Sequence, residues 1–325
     1  MSWVGPLHLT LFAATSLYLT LAICKDALQV SESRSLGNPS FVEEILPAEG
    51  SSRTPKPSIF NEFALRDRVG VVSGANRGLG LEMALALCEL GAKIYAIDLP
   101  STPSLEFKMV ANHVKVMGGG RKLEYISGDV TDQMTARAEV EKISKKEGRF
   151  DVCIAAAGIL GQSTHVLEID AKEFENFLAV NTHGAFYTAQ AAGRQMIKFG
   201  NGGSIIMIAS ISGHVTLRDH KWVAYSASKS AVLQMVRSMA CELGPERIRV
   251  NSLSPGYICT KTTAALLDSH PALREKWASS NPLGRLGAPE ELRGVVAWLA
   301  SDASTFCTGS KLSTPIIVSG GHTIW

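Results

Sequence analysis

No two of the six cysteines are spaced as a C-x-x-C pair; they stand at Cys24, Cys88, Cys153, Cys241, Cys259 and Cys307. That spacing argues against a zinc knuckle or a dithiol redox motif, so no metal is expected. Several of these thiols sit in apolar runs, where cysteine acts as a small hydrophobe. The chain also lacks any block of Lys and Arg. With Lys+Arg 32 against Asp+Glu 30 the formal net charge is +2, and nothing points to nucleic acid as a partner. Charge is sparse overall, at 19% of residues, while apolar residues reach 46%. That balance excludes a disordered chain, and 325 residues are ample for one large domain with a buried core. No internal repeat is visible.

Formal charge is missing altogether from residues 3–24, which hold Leu7, Leu9, Leu11, Phe12, Leu17, Tyr18, Leu19, Leu21 and Ile23. The run approaches the length that spans a bilayer, although Pro6, His8 and several Thr and Ser dilute it. A membrane anchor is the first reading. A cleaved signal peptide, with Ala22 and Cys24 at the cleavage position, and a segment that is neither remain open, and no Lys or Arg precedes the run. Residues 25–59 are rich in Ser, Pro and Glu without periodicity and read as a linker, most plainly over residues 51–57.

From about residue 60 the pattern changes. Short apolar runs predict strands over 69–72, 93–98, 123–126, 150–157, 204–209, 248–253 and 315–318. Helical patterns over 81–90, 131–146, 171–199, 224–243 and 289–300 separate nearly all of them. Strand and helix in alternation imply an α/β domain, a doubly wound parallel sheet of Rossmann-like type, over residues 60–325.

The first predicted strand runs into Ser73-Gly74-Ala75-Asn76-Arg77-Gly78-Leu79-Gly80, which opens the first helix. Glycines at 74, 78 and 80 let a pyrophosphate approach the backbone N–H groups and the positive end of that helix. At this junction the loop predicts dinucleotide binding by Gly74, Arg77, Gly78, Leu79 and Gly80. Asp98 ends the second strand, where a carboxylate can accept hydrogen bonds from ribose hydroxyls and repels a 2′-phosphate. NAD is therefore favoured; Arg77, whose guanidinium suits that phosphate, keeps NADP open.

Tyr225-Ser226-Ala227-Ser228-Lys229 begins a helix, and residues four apart share a face. A Lys ammonium beside a phenol favours the phenolate, which fits Tyr225 for acid–base work near neutrality. The pair alone is weak; after the glycine loop it gains force.

These motifs together resemble the short-chain dehydrogenase/reductase family over about residues 62–325. SGANRGLG matches its T-G-x-x-x-G-x-G with Ser73 in place of Thr, and Tyr225 and Lys229 match its Y-x-x-x-K. The resemblance implies an NAD(P)-dependent oxidoreductase that interconverts a secondary alcohol and a ketone by hydride transfer. It implies that Asp129 and Val130 meet the adenine side, that Asn181 joins the catalytic group, and that Ile258 and Thr260 hold the nicotinamide carboxamide. The family's N-N-A-G is Ala155-Ala156-Ala157-Gly158 here, so two asparagines are lost while Ala157 and Gly158 keep the backbone path. Its V-D-G-G is Val318-Ser319-Gly320-Gly321. The catalytic serine falls in Ile208-Ala209-Ser210-Ile211-Ser212-Gly213: the distance to Gly213 selects Ser210, the distance to Tyr225 selects Ser212, and Ser210 is preferred. The IASISGH stretch and the GGHTIW ending are similar to fungal polyol and ketose reductases of mannitol or sorbose type, and to reductases of secondary metabolism.

The partner is a small-molecule alcohol or ketone, entering beneath residues 261–282, where Leu266, Leu267 and Trp277 are candidates for an apolar lid. The family also implies a homo-oligomer paired through the helices of Asn181 and Tyr225. An anchor at residues 3–24 would leave the catalytic domain facing the cytosol; without one the enzyme is cytoplasmic. Two alternatives stay in view: an epimerase or dehydratase on the same fold, and a cofactor-binding protein without catalysis.

Overall fold

The computed structural model describes residues 58–310 and 316–324; the apolar run at 3–24, the linker to residue 57, Pro315 and Trp325 lie outside the described residues. Among the described residues no helix is long and apolar enough to cross a membrane.

Seven strands form one parallel sheet: β1 Val69–Ser73, β2 Lys93–Asp98, β3 Lys122–Ser127, β4 Val152–Ala155, β5 Gly203–Ile208, β6 Ile248–Pro255 and β7 Ile316–Val318. Their spatial order is β3-β2-β1-β4-β5-β6-β7. The order reverses between β1 and β4, the switch point at which open α/β sheets bind ligands. Register is continuous across it, with Val72 opposite both Ala96 and Ile154.

Both faces of the sheet are covered, which is why the strands read as unbroken apolar runs. Alternate residues feed two separate cores. Cys153, Ala155, Ile205 and Met207 point into one, with Ala189, Val232 and Val236. Val152, Ile154, Ile206 and Ile208 point into the other, with Leu81, Leu87 and Leu299. The first core lies under α3 Gln133–Glu147, α5 Ala185–Phe199 and α6 Val223–Leu243. The second lies under α1 Gly78–Glu89, α2 Leu105–Met117 and α9 Arg293–Ala300. Between them in sequence come α4 Ala171–Phe177 and the short helices α7 Lys261–Ser269 and α8 Pro271–Ser279.

Helix ends follow local chemistry. Asp132 caps α3 by accepting from the N–H groups of Met134 and Thr135, and Gly148 ends it at φ 73°. Two elements differ from the sequence expectation. Helix α2 gives no clear apolar stripe, since it buries only Phe107 and Val114 while Leu105, Met109 and Val116 face solvent. The helix expected over 171–199 is broken by a π-helical turn at Leu178–Gly184, with Asn181 at its centre.

Candidate active site

The glycine loop forms a cradle at the end of β1. Gly74 sits at φ +69°, and a Cβ there would stand 2.6 Å from the Ala157 Cα; on Gly80 it would stand 2.2 Å from the Gly74 carbonyl oxygen. Only glycine allows these two approaches. Gly78, at φ +59°, has nothing within 4 Å of where its Cβ would be, so its backbone faces open space. Helix α1 starts there from Arg77 with no side-chain cap, which leaves its first N–H groups free for an anion. Arg77 is exposed and Leu79 half-buried on the same turn. These features fit the pyrophosphate of a dinucleotide.

Asp98 supports the cradle. Its carboxylate accepts from the N–H of Asn76 at 2.9 Å and of Leu99 at 2.8 Å. Asn76 in turn accepts from the Ser104 N–H at 2.7 Å, tying the loop to the start of α2. Ser73, which replaces the family Thr, accepts from the N–H groups of Ala156 and Ala157 at 3.2 and 3.3 Å. The loss of two asparagines in Ala155–Gly158 therefore leaves the backbone anchored through Ser73. Neither Asn76 nor Ser104 stood out in the sequence, because their contribution is made by contacts of side chain with backbone across 28 residues.

Asp129, just after β3, accepts from the N–H and hydroxyl of Thr131, both at 2.8 Å. Val130 is buried against Gly184, where an added Cβ would stand 2.7 Å from the Val130 Cγ2. Val130 thus touches the π turn that carries Asn181.

Asn181 is fully buried. Its Oδ1 accepts from the Ile159 N–H at 2.8 Å, and its Nδ2 donates to the Ile159 carbonyl and the Ser228 hydroxyl, each at 3.0 Å. A π turn commonly marks a functional position, because the extra residue re-aims a side chain. Gly158 closes the gap beside it: a Cβ there would meet the Asn181 Oδ1 at 3.1 Å and the Lys229 Nζ at 3.5 Å.

Helix α6 brings Tyr225 and Lys229 onto one face, with the Lys229 Nζ 5.9 Å from the Tyr225 ring centroid. Lys229 is 5% exposed and donates to the Ile208 carbonyl at 2.8 Å. Burial lowers its pKa to about 8. Burial also raises the Tyr225 phenol above its ordinary value, while a hydrogen bond from the side chain of Ser210 pulls it the other way. The downward pull expected of Lys229 does not show: burial governs the phenol, and Ser210 is what opposes it.

Of the two serines, Ser210 is the one whose side chain acts on the Tyr225 phenol, lowering its pKa against burial. Ser212 lies behind it, its N–H donating to the Ser210 Oγ at 3.2 Å and its hydroxyl 3.4 Å away. Ile258 is buried, and Thr260 caps α7 by accepting from the Thr263 N–H at 3.2 Å. Of the lid candidates, Leu267 and Trp277 are buried, and the side chain of Leu266 lies outside the described residues. Among the described residues no cluster of His, Cys, Asp or Glu is arranged to hold a metal.

Comparison with known proteins bears on this arrangement. A family model described as enoyl-(acyl carrier protein) reductase matches residues 74–323. The sorbose reductase of Schizosaccharomyces pombe is 35% identical over 260 residues, covering 80% of this chain and 97% of that protein. A probable NADP-dependent mannitol dehydrogenase of Yarrowia lipolytica is 34% identical over 275 residues, covering 83% of this chain and 94% of its own. A short-chain type dehydrogenase/reductase of Mycobacterium marinum, known from its crystal structure, matches at TM-score 0.74 and 37% identity, over 82% of this chain and 99% of that one. The chain belongs to the short-chain dehydrogenase/reductase family and is an oxidoreductase. Relatives in this family use NAD or NADP and act on small alcohols and sugars.

Proposed function

We propose that this protein interconverts a secondary alcohol and a ketone, with Tyr225 as the proton donor and acceptor at the substrate oxygen. The observation that carries the reading is the Lys229 ammonium, buried and held by the Ile208 carbonyl on one helix face with Tyr225. A nicotinamide bound along the cradle supplies or accepts the hydride. Ser210 holds the substrate oxygen by a hydrogen bond. Tyr225 then gives that oxygen a proton during ketone reduction, and burial, by keeping the phenol protonated, suits it to this direction. Lys229 stabilises the phenolate that forms, as a positive charge on the same helix face. Asn181 holds the backbone of Ile159 and the Ser228 hydroxyl in place beside them and passes protons toward solvent through water.

Lys229 is charged below about pH 8 and neutral above it. Ketone reduction, followed as kcat/KM, should therefore hold below that pH and fall above it. Tyr225→Phe should reduce turnover by about 10²- to 10⁴-fold while cofactor binding, read by nicotinamide fluorescence, stays near wild type. Full turnover in the Phe variant would remove Tyr225 from this role.

For the cofactor we favour NAD. Asp98 presents a carboxylate at the end of β2 beside the cradle, which suits ribose hydroxyls and opposes a 2′-phosphate. Gly74, Gly78, Gly80, Asp129, Val130, Ala157, Gly158, Ile258 and Thr260 complete the proposed contacts. Parallel titration with NADH and NADPH tests this: tighter NADPH binding would shift the weight to Arg77. In this reading the enzyme is a homo-oligomer paired through α5 and α6, checked by light scattering. Its catalytic domain faces the cytosol, checked by cell fractionation with and without residues 1–25.

A further inference from the structure

Between Tyr225 and Lys229 the helix carries Ser228, a residue that suits helix interiors less well than alanine. Ser228 is fully buried. A buried hydroxyl needs hydrogen-bond partners, and this one has two. Its Oγ donates to the Tyr225 carbonyl at 2.7 Å and accepts from the Asn181 Nδ2 at 3.0 Å. The Ser228 carbonyl in turn accepts from the Thr182 hydroxyl at 3.2 Å.

Bonding back to the carbonyl three residues earlier is an ordinary way for a helical serine to hide its hydroxyl. The bonds from Asn181 and Thr182 are not local, since they cross 47 and 46 residues. Both come from the π turn, and both end on Ser228. The remaining bonds of the Asn181 amide hold the N–H and carbonyl of Ile159. Ser228 therefore ties three segments together: the loop after β4, the π turn and the first turns of α6. On α6 the tie ends at the Tyr225 carbonyl, which in a helix also receives the Lys229 N–H. Asn181 and Lys229 are close neighbours here: a Cβ on Gly158 would stand 3.1 Å from the Asn181 Oδ1 and 3.5 Å from the Lys229 Nζ.

Proton transfer from a phenol is sensitive to displacements well under 1 Å, so the residues that carry it need a rigid support. With its hydroxyl buried, Ser228 has no surface to offer a substrate. We propose that Ser228 is a positioning residue for the proton transfer: its hydroxyl, bridging the Asn181 amide and the Tyr225 carbonyl, fixes Tyr225 and Asn181 relative to each other. The inference rests on the alcohol–ketone reading above and adds to it a residue that acts through Tyr225 and Asn181.

The test uses the full chain with NADH and NADPH and whichever of sorbose, fructose and butanone reacts fastest. Ser228→Ala removes both hydroxyl bonds while suiting the helix, so the melting temperature should stay within a few degrees of wild type. Its single-turnover rate of nicotinamide oxidation should fall about tenfold, with the ketone KM and the nucleotide Kd within about twofold of wild type. Ser228→Thr, which keeps the hydroxyl, should hold most of the rate. Thr182→Val, which removes the second tie at nearly constant volume, should lower the rate several-fold with the nucleotide Kd unchanged; this variant decides the matter if Ser228→Ala does not fold. A wild-type rate in folded Ser228→Ala would overturn the proposal and leave the alcohol–ketone reading standing. So would a rate loss matched by equal losses in melting temperature and nucleotide affinity, or an alanine-like rate in folded Ser228→Thr, since either would make Ser228 a matter of packing alone. If the wild-type chain binds the nucleotide but reduces none of the three ketones, the alcohol–ketone reading falls and takes this inference with it.

Discussion

Charges at the edge of the sheet where strands begin are buried in partnership, whereas at the edge where they end a buried ammonium stands without a carboxylate. At the first edge the Glu147 carboxylate accepts from Lys93 at 3.0 Å, Tyr95 at 2.5 Å and Lys122 at 3.3 Å. Asp151, 3% exposed, accepts from Arg149, Asn201 and the Val69 N–H. At the other edge Lys229 donates to the Ile208 carbonyl, and no carboxylate pairs with it among the described residues. Burying a charge is tolerated cheaply only with a partner. The difference separates a region organised for stability from one whose strain is retained for chemistry.

The comparison breaks most visibly at Asp151. Asp151→Ala leaves the Val69 N–H buried without an acceptor and strips Arg149 and Asn201 of theirs. A loss of about 3 kcal/mol is expected in urea unfolding. Nicotinamide affinity should be retained under native conditions, since the cradle lies at the opposite edge. A loss below about 1 kcal/mol, or a collapse of cofactor binding without unfolding, would show that the edges are not separate in this way.

A smaller effect is expected at Glu147, and pH sharpens it. Its partners hold the carboxyl at about 2, below the ordinary value of 4.5. A carboxyl depressed in the folded state contributes stability that is complete above its unfolded pKa and is lost as pH falls toward the folded one. Glu147→Gln should therefore lower the melting temperature most at pH 6, with the gap from wild type narrowing toward pH 3. A gap independent of pH would mean that shape rather than charge is what Glu147 contributes.

Legibility in the sequence followed the same division of labour. Gly74, Gly78 and Gly80 were readable because backbone approach demands glycine wherever the loop occurs, and Tyr225 with Lys229 because helical spacing alone puts them on one face. The alternation of strands and helices was readable because both sheet faces are buried. What escaped depends on contacts between distant segments. The π turn at Asn181 has no local signature; it follows from Asn181 bonding Ile159, 22 residues away. Ser210 was preferred on its distance to Gly213, yet spacing alone does not separate it from Ser212, since the two hydroxyls lie 3.4 Å apart. The rings of His220, Tyr257, Trp277 and His322 likewise meet from segments spread over the C-terminal third, where spacing carries no information.

Lys229 gives the comparison its finest test, because its expected stability change is small and of unusual sign. Burial lowers its pKa from 10.5 to about 8, so the unfolded chain binds the proton more tightly than the folded one. Below about pH 8 the protein carries the whole cost of a buried ammonium, roughly 3 kcal/mol at 1.4 kcal/mol per pK unit; the cost fades as pH rises and is gone above 10.5. Lys229→Met removes that cost and leaves the Ile208 carbonyl without its donor, a penalty of about 1–2 kcal/mol. At pH 7 the variant should thus be inactive and yet slightly more stable than wild type, with a melting temperature raised by a few degrees. Between pH 8 and 10.5 its advantage should shrink and then reverse, as the wild-type amine sheds its proton while keeping its hydrogen bond. A Met variant markedly less stable than wild type at pH 7 would mean that Lys229 has a favourable partner after all, and the strand-end edge would then obey the same rule as the edge with Glu147 and Asp151.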